Sequence, residues 1–188
     1  MIKSIIQQDA SEPTSGLYTD PVVRDCSDTF QNLLTQFRNN IVRAAYETAD
    51  FSINNIFGSL LGTNISNNQK QAVIDRFLYT PESPGRPSLL DSKKQSAISL
   101  RQRVERFQGD MNASQLVIHA HLPGINDQLN IFMQGFYSIQ SFYEQIDEIL
   151  QNYKDQLNHG SIPIESIQEQ ARWLAVISAD MKAFVQNV

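Results

Sequence analysis

A single cysteine, Cys26, stands in a chain of 188 residues. No internal disulfide is available, so no oxidising compartment is implied. Charge is scarce as well, at 19% of residues, and the polarity comes instead from Gln, Asn and Ser, as in SINNIFGSLLGTNISNNQKQ. The net charge of −5 and a pI near 5.1 argue against a dedicated nucleic-acid binder. No apolar run approaches the roughly 18 residues of a membrane span. The opening MIKSIIQQDASEPTSG holds too little apolar length for a secretory signal. The chain is accordingly expected in the cytoplasm, in a virion, or exported by a non-Sec route. There is no glycine-rich phosphate loop and no Glu-x-x-His pair for a di-iron site. Cys26 lies on an apolar stripe with no histidine near it in sequence, which reads as a small hydrophobe rather than a nucleophile.

Hydrophobic residues make up 41% of the chain, enough for one domain that hides roughly 70% of its unfolded surface. Residues 1–16, with Glu12-Pro13, Ser15 and Gly16, read as a flexible N-terminal arm. Asp20 and Pro21 then form an N-cap and first helical position. Val23, Cys26, Phe30, Leu33, Phe37, Ile41, Ala44 and Phe51 follow in steps that put most of them on one face of a helix over about 21–49. Ser66 and Gln69 match a capping box for a short helix through Phe77. Pro81, Pro84 and Pro87 bar any helix through a crossover at 80–88. Ser88 suits the cap of a helix to about 108, with its stripe at Leu90, Ala97, Leu100, Val104 and Phe107.

The strongest pattern runs over 125–158. Ile125, Leu129, Phe132, Phe136, Ile139, Tyr143, Ile146, Leu150, Tyr153 and Leu157 alternate steps of four and three. That is a heptad seam on a helix of about 50 Å. Gly160 suits its left-handed C-cap and His159 its negative end. A short turn and Pro163 open a last helix over about 163–187, with Ile164, Ile167, Ala171, Leu174, Met181, Val185 and Val188 on one face. The short turn makes the last two helices antiparallel neighbours. The expectation is an all-α fold, a single bundle of four main helices. Internal packing of the seam is favoured over an intermolecular coiled coil, since three other stripes match it. Of the aromatics beside the seam, Tyr137 and Phe142 are set for a second helix or an interface.

Three function classes follow. The first is a non-enzymatic structural or protein-interaction bundle, self-assembling or bound to a protein partner, of a virion, secretion-apparatus or exported-effector type. It needs no cofactor. Its candidate surface is the uncharged segment with Phe51, Ile53, Ile56, Phe57, Leu60 and Leu61, joined by Arg103 and Arg106 from the basic helix. The second class uses residues 51–61 to enter a membrane surface, which their length permits only shallowly; packed inward, they would instead close one end of the bundle. Arg103 and Arg106, three apart, share a face, with Lys93 roughly three turns earlier, and could meet phosphates, or form the wet side of an amphipathic helix. The third class is a metal-dependent enzyme using His119, His121 and His159. The stretch His119-Ala-His121-Leu122 resembles the first-strand motif of amidohydrolase barrels over four residues. That barrel needs about 250 residues of alternating strand and helix. On a helix the two histidines face opposite ways; only on a strand do they share a face. Neither Asp127 nor any other carboxylate is picked out by spacing as a third ligand.

Overall fold

The computed structural model describes residues 21–62, 64–78, 87–113 and 124–188, and among these it contains helices and no strand. Five helices of twelve residues or more carry the fold: α1 (Pro21–Asp50), α2 (Asn67–Leu78), α3 (Leu89–Ala113), α4 (Ile125–Asn158) and α5 (Ile164–Gln186). The all-α bundle and the four long helices therefore stand, with ends close to those expected from the spacing, except that α3, expected to end at about 108, runs on to Ala113. The caps explain why. Ser66 N–H donates to Gln69 Oε1 at 2.8 Å and Gln69 N–H to Ser66 Oγ at 3.2 Å, the reciprocal pair of a capping box. Asp91 N–H donates to Ser88 Oγ at 3.0 Å. At the end of α4, Gly160 takes φ +147°, a conformation that favours glycine.

The α4 seam is the axis of the core. From Ile125 to Tyr153 its nine residues are at most 3% exposed, and Leu157 packs partly buried against them. Its partners are all within the chain. Phe37 of α1 meets Phe107 of α3 and Phe132 of α4 edge-on, at 5.7 and 6.4 Å between ring centres. Such contacts are worth about 0.5–1.5 kcal/mol beyond the area they bury. Phe142 is buried, whereas Tyr137 stays exposed under the Arg101 guanidinium, 5.6 Å from its ring centre. Helix α1 buries Leu34, Phe37, Ile41 and Ala45; Leu33 and Ala44, expected on that stripe, sit at its partly buried edge. Ile164, expected on the inner face of α5, is 41% exposed, and Ile162 in the preceding turn fills the core instead.

Helix α4 crosses α1 and α5 at Gly135, which is buried. A Cβ there would overlap Ile41 Cδ1 and lie 3.4 Å from Phe184 Cε1. The contact pairs Gly135–Phe184 at one end, and Ile149 and Asn152 beside Glu169 and Gln170 at the other. Helix α5 therefore runs antiparallel to α4, as its short turn dictates.

The largest departure from the sequence reading follows α1. The chain stays helical but widens into a π-helix over Phe51–Phe57 and closes with one α turn, Gly58–Leu60. Gly58 N–H donates to the Ile53 carbonyl, five residues back. Ser52 Oγ donates to the Thr48 carbonyl at 2.8 Å and Thr48 Oγ1 to the Ala44 carbonyl at 2.6 Å. Hydroxyls that bond back in this way compete for the ordinary i→i−4 ladder. In a π turn residues five apart share a side, so Phe51 and Ile56, like Ser52 and Phe57, all point inward.

Candidate interaction surface

The surface expected from residues 51–61 is turned into the core. Phe51, Ile56, Phe57 and Leu60 are between 0% and 6% exposed, while Ile53 and Leu61 are partly buried against the same cluster. Phe51 meets Phe77 and Tyr143 edge-on at 5.4 and 6.2 Å, and Phe57 meets Tyr153 at 6.4 Å. In this conformation the segment offers no apolar patch to a partner or a lipid surface. The π-helical register is the reason, because it turns inward side chains that a 3.6-residue period would spread around the axis.

The basic helix α3 is largely used within the chain too. Arg101 donates to Gln140 Oε1 at 2.8 Å and pairs with Glu105 at 3.4 Å. Lys94 lies 3.7 Å from Asp91, and Lys93 stands over the Phe51 ring. Arg103 and Arg106 remain exposed, with Arg106 Nε donating to the Gln102 carbonyl at 3.4 Å. A continuous positive stripe is therefore reduced to two arginines. His119 and His121 lie outside the described residues. His159 is exposed, with Nδ1 2.8 Å from the Asp155 carbonyl oxygen, where it caps the end of α4. No group of three or more metal-ligating side chains occurs among the described residues.

Spacing did not single out the outer face of α5. Its inner stripe, Ile167, Leu174, Ser178, Met181 and Val185, is buried. The opposite side carries a second stripe with the same alternation, Arg172, Val176, Ala179 and Ala183, all exposed. Trp173 and Phe184 flank it at 49% and 37% exposure, and Val176 is 61% exposed. Between Arg172 and Asp180 this side is apolar, and no element of the described chain covers it. The missed signal is in ARWLAVISA, residues 171–179, where Arg172 is the one charge.

Trp173 also walls a groove of about 420 Å³ between α4 and α5, opposite Gln145, Glu148 and Ile149. Beside it a smaller hollow reaches Tyr153. The Gln145 Oε1 and Tyr153 hydroxyl oxygens are buried there without a hydrogen-bond partner. Burial pushes the Tyr153 phenol up to about 12. Burial also raises Tyr143, whose hydroxyl shares a 2.8 Å hydrogen bond with Thr48 Oγ1. On the far side, Tyr46 takes a short hydrogen bond from Gln186 and the Lys182 ammonium over its ring at 5.2 Å. These contacts fasten the end of α5 to α1.

Compared with protein-family models, with curated proteins and with solved structures, the chain matches none. Its architecture is that of an all-α bundle. Among the described residues, no helix is long and apolar enough to cross a membrane.

Proposed function

We propose that the chain is a non-enzymatic interaction protein that works through a helix face, and that the working face is the outer side of α5. One observation carries this reading: Trp173 and Val176 are 49% and 61% exposed on a helix whose other side is committed to the core. Large aromatics on an otherwise small-residue face are the groups that supply most of the energy when two proteins meet. The segment 51–61, the alternative contact surface, is spent on internal packing.

A photoreactive amino acid placed at Val176 tests the reading in cells, with the same probe at Arg103 as the comparison. Discrete adducts from position 176 that position 103 does not give are the expected result. The absence of adducts from 176, or identical patterns from both positions, would refute it.

A further inference from the structure

We infer that the partner on this face is a second copy of the chain, docked with its α5 antiparallel to the first about a two-fold axis at Val176. The inference rests on the helix-face reading above and gives it a partner and a register. Among the described residues neither Arg172 nor Asp180 makes an ion pair, and both are exposed. They are the only charges from Arg172 to Met181. One lies four residues before Val176 and the other four after it.

An antiparallel pair centred on Val176 sets each Arg172 level with the partner's Asp180, and does so twice. A two-fold interface must be self-complementary in this sense, with residue i meeting j and j meeting i. A parallel pair would set Arg172 against arginine and Asp180 against aspartate. Shape agrees with charge. The same register sets each Trp173 level with the partner's Ala179, and small residues at 175, 179 and 183 let the two backbones come close. The axis itself carries Val176 against its own copy. A contact made by one helix from each copy falls at the small end of specific interfaces, below about 1,200 Å², so a reversible dimer is expected rather than a permanent one.

The test is sedimentation of the purified chain over a concentration series, run on the wild type, Arg172→Glu, Asp180→Arg and the double exchange. Both altered positions, 172 and 180, are on the exposed face, and helical circular dichroism reports whether each variant is folded. The wild type should dimerise with concentration. Each single reversal sets like charges together and should weaken dimerisation by about tenfold or more. The double exchange should bring it back to within about threefold of the wild type. Trp173, the chain's one tryptophan, gives a readout on the unaltered protein, since its emission should shift to the blue as the dimer forms.

A wild type that stays monomeric at every concentration overturns the inference. So does a dimer indifferent to both reversals, which would use another face. A double exchange that fails to restore what the singles lose overturns the antiparallel register. If the purified chain is monomeric while the probe at Val176 captures a different protein in cells, the second copy is excluded and the helix-face reading stands.

Discussion

Replacing Gly135 by alanine sets two opposed effects against each other. In a helix interior alanine is favoured over glycine by about 1 kcal/mol. Against this, the new methyl would overlap Ile41 Cδ1 and lie 3.3 Å from Ile41 Cγ1. Ile41 is 0% exposed, so its terminal methyl has no open space to swing into. Forcing an extra carbon into a filled core costs about 1–3 kcal/mol. The overlap should win, leaving Gly135→Ala destabilised by about 1 kcal/mol. Shortening Ile41 to valine alone removes the terminal methyl and should cost about 0.5–1.5 kcal/mol. In the double variant the overlap is gone while the propensity gain remains. Its stability should return to near that of the wild type, well above the sum of the two losses. Urea unfolding followed by circular dichroism measures all four corners of the cycle, with slopes compared to confirm the same transition. A fully stabilised Gly135→Ala, or single effects that simply add, would show that Ile41 does not meet α4 at this position.

Other consequences can be checked on the same footing. Tyr153→Phe removes a buried hydroxyl that has no partner, so stability near neutral pH should change by less than about 1 kcal/mol or rise. Its effect should appear in alkali. The folded-state phenol sits near 12 against an ordinary 10.0, so the unfolded chain loses this proton first. The stability it confers is complete below about pH 10 and lost as the pH climbs toward 12. Urea unfolding between pH 9 and about 12 should therefore show a shallower alkaline decline in Tyr153→Phe than in the wild type. Phe57→Asp sets a carboxylate at a position with 0% exposure and should cost more than about 4 kcal/mol, read as loss of the cooperative thermal transition. Ser66→Ala removes the Oγ that accepts from Gln69 N–H and should cost about 0.5–2 kcal/mol, measured as a lower urea midpoint.

The parts of the fold that were legible in sequence share one property, which is that local chemistry and burial give the same answer. The α4 seam is regular because each of its residues from Ile125 to Tyr153 faces other elements of the same chain. Ser66 with Gln69 and Ser88 marked helix starts because their side chains satisfy backbone N–H groups that have no helical partner. The π-helix was not legible. Residues 51–61 have no charge to mark an outer side, and over Phe51–Phe57 the backbone bonds five residues back instead of keeping the α-helical period of 3.6 that spacing arguments assume. For the same reason the burial of Phe51, Ile56, Phe57 and Leu60 was not legible. An uncharged apolar run looks alike whether it lies against a core or awaits a partner, and only the register of Phe51–Phe57 decides which. Helix α5 misled in the opposite direction. Ile164 through Val188 supplied one convincing inner stripe, and a second stripe on the same helix goes unnoticed once the first is found.

The burial of Phe51, Ile56, Phe57 and Leu60 and the exposure of the outer face of α5 bear on where the proposed association would occur. A heptad seam of ten positions would ordinarily be the first surface to suspect of self-assembly. Here α1, α3 and α5 cover it, and opening it for another chain would expose Phe132, Phe136 and Ile146, all 1% exposed or less. Each such side chain costs about 1.5–3 kcal/mol to return to water. Three of them already approach the whole stability of a typical domain, about 5–15 kcal/mol. Exchange through the seam therefore amounts to unfolding. The outer face of α5 carries no such cost, since Trp173 and Val176 are already in water and covering them gives up no internal contact. The proposed association on that side would bury surface the monomer leaves exposed and leave the core of each copy intact.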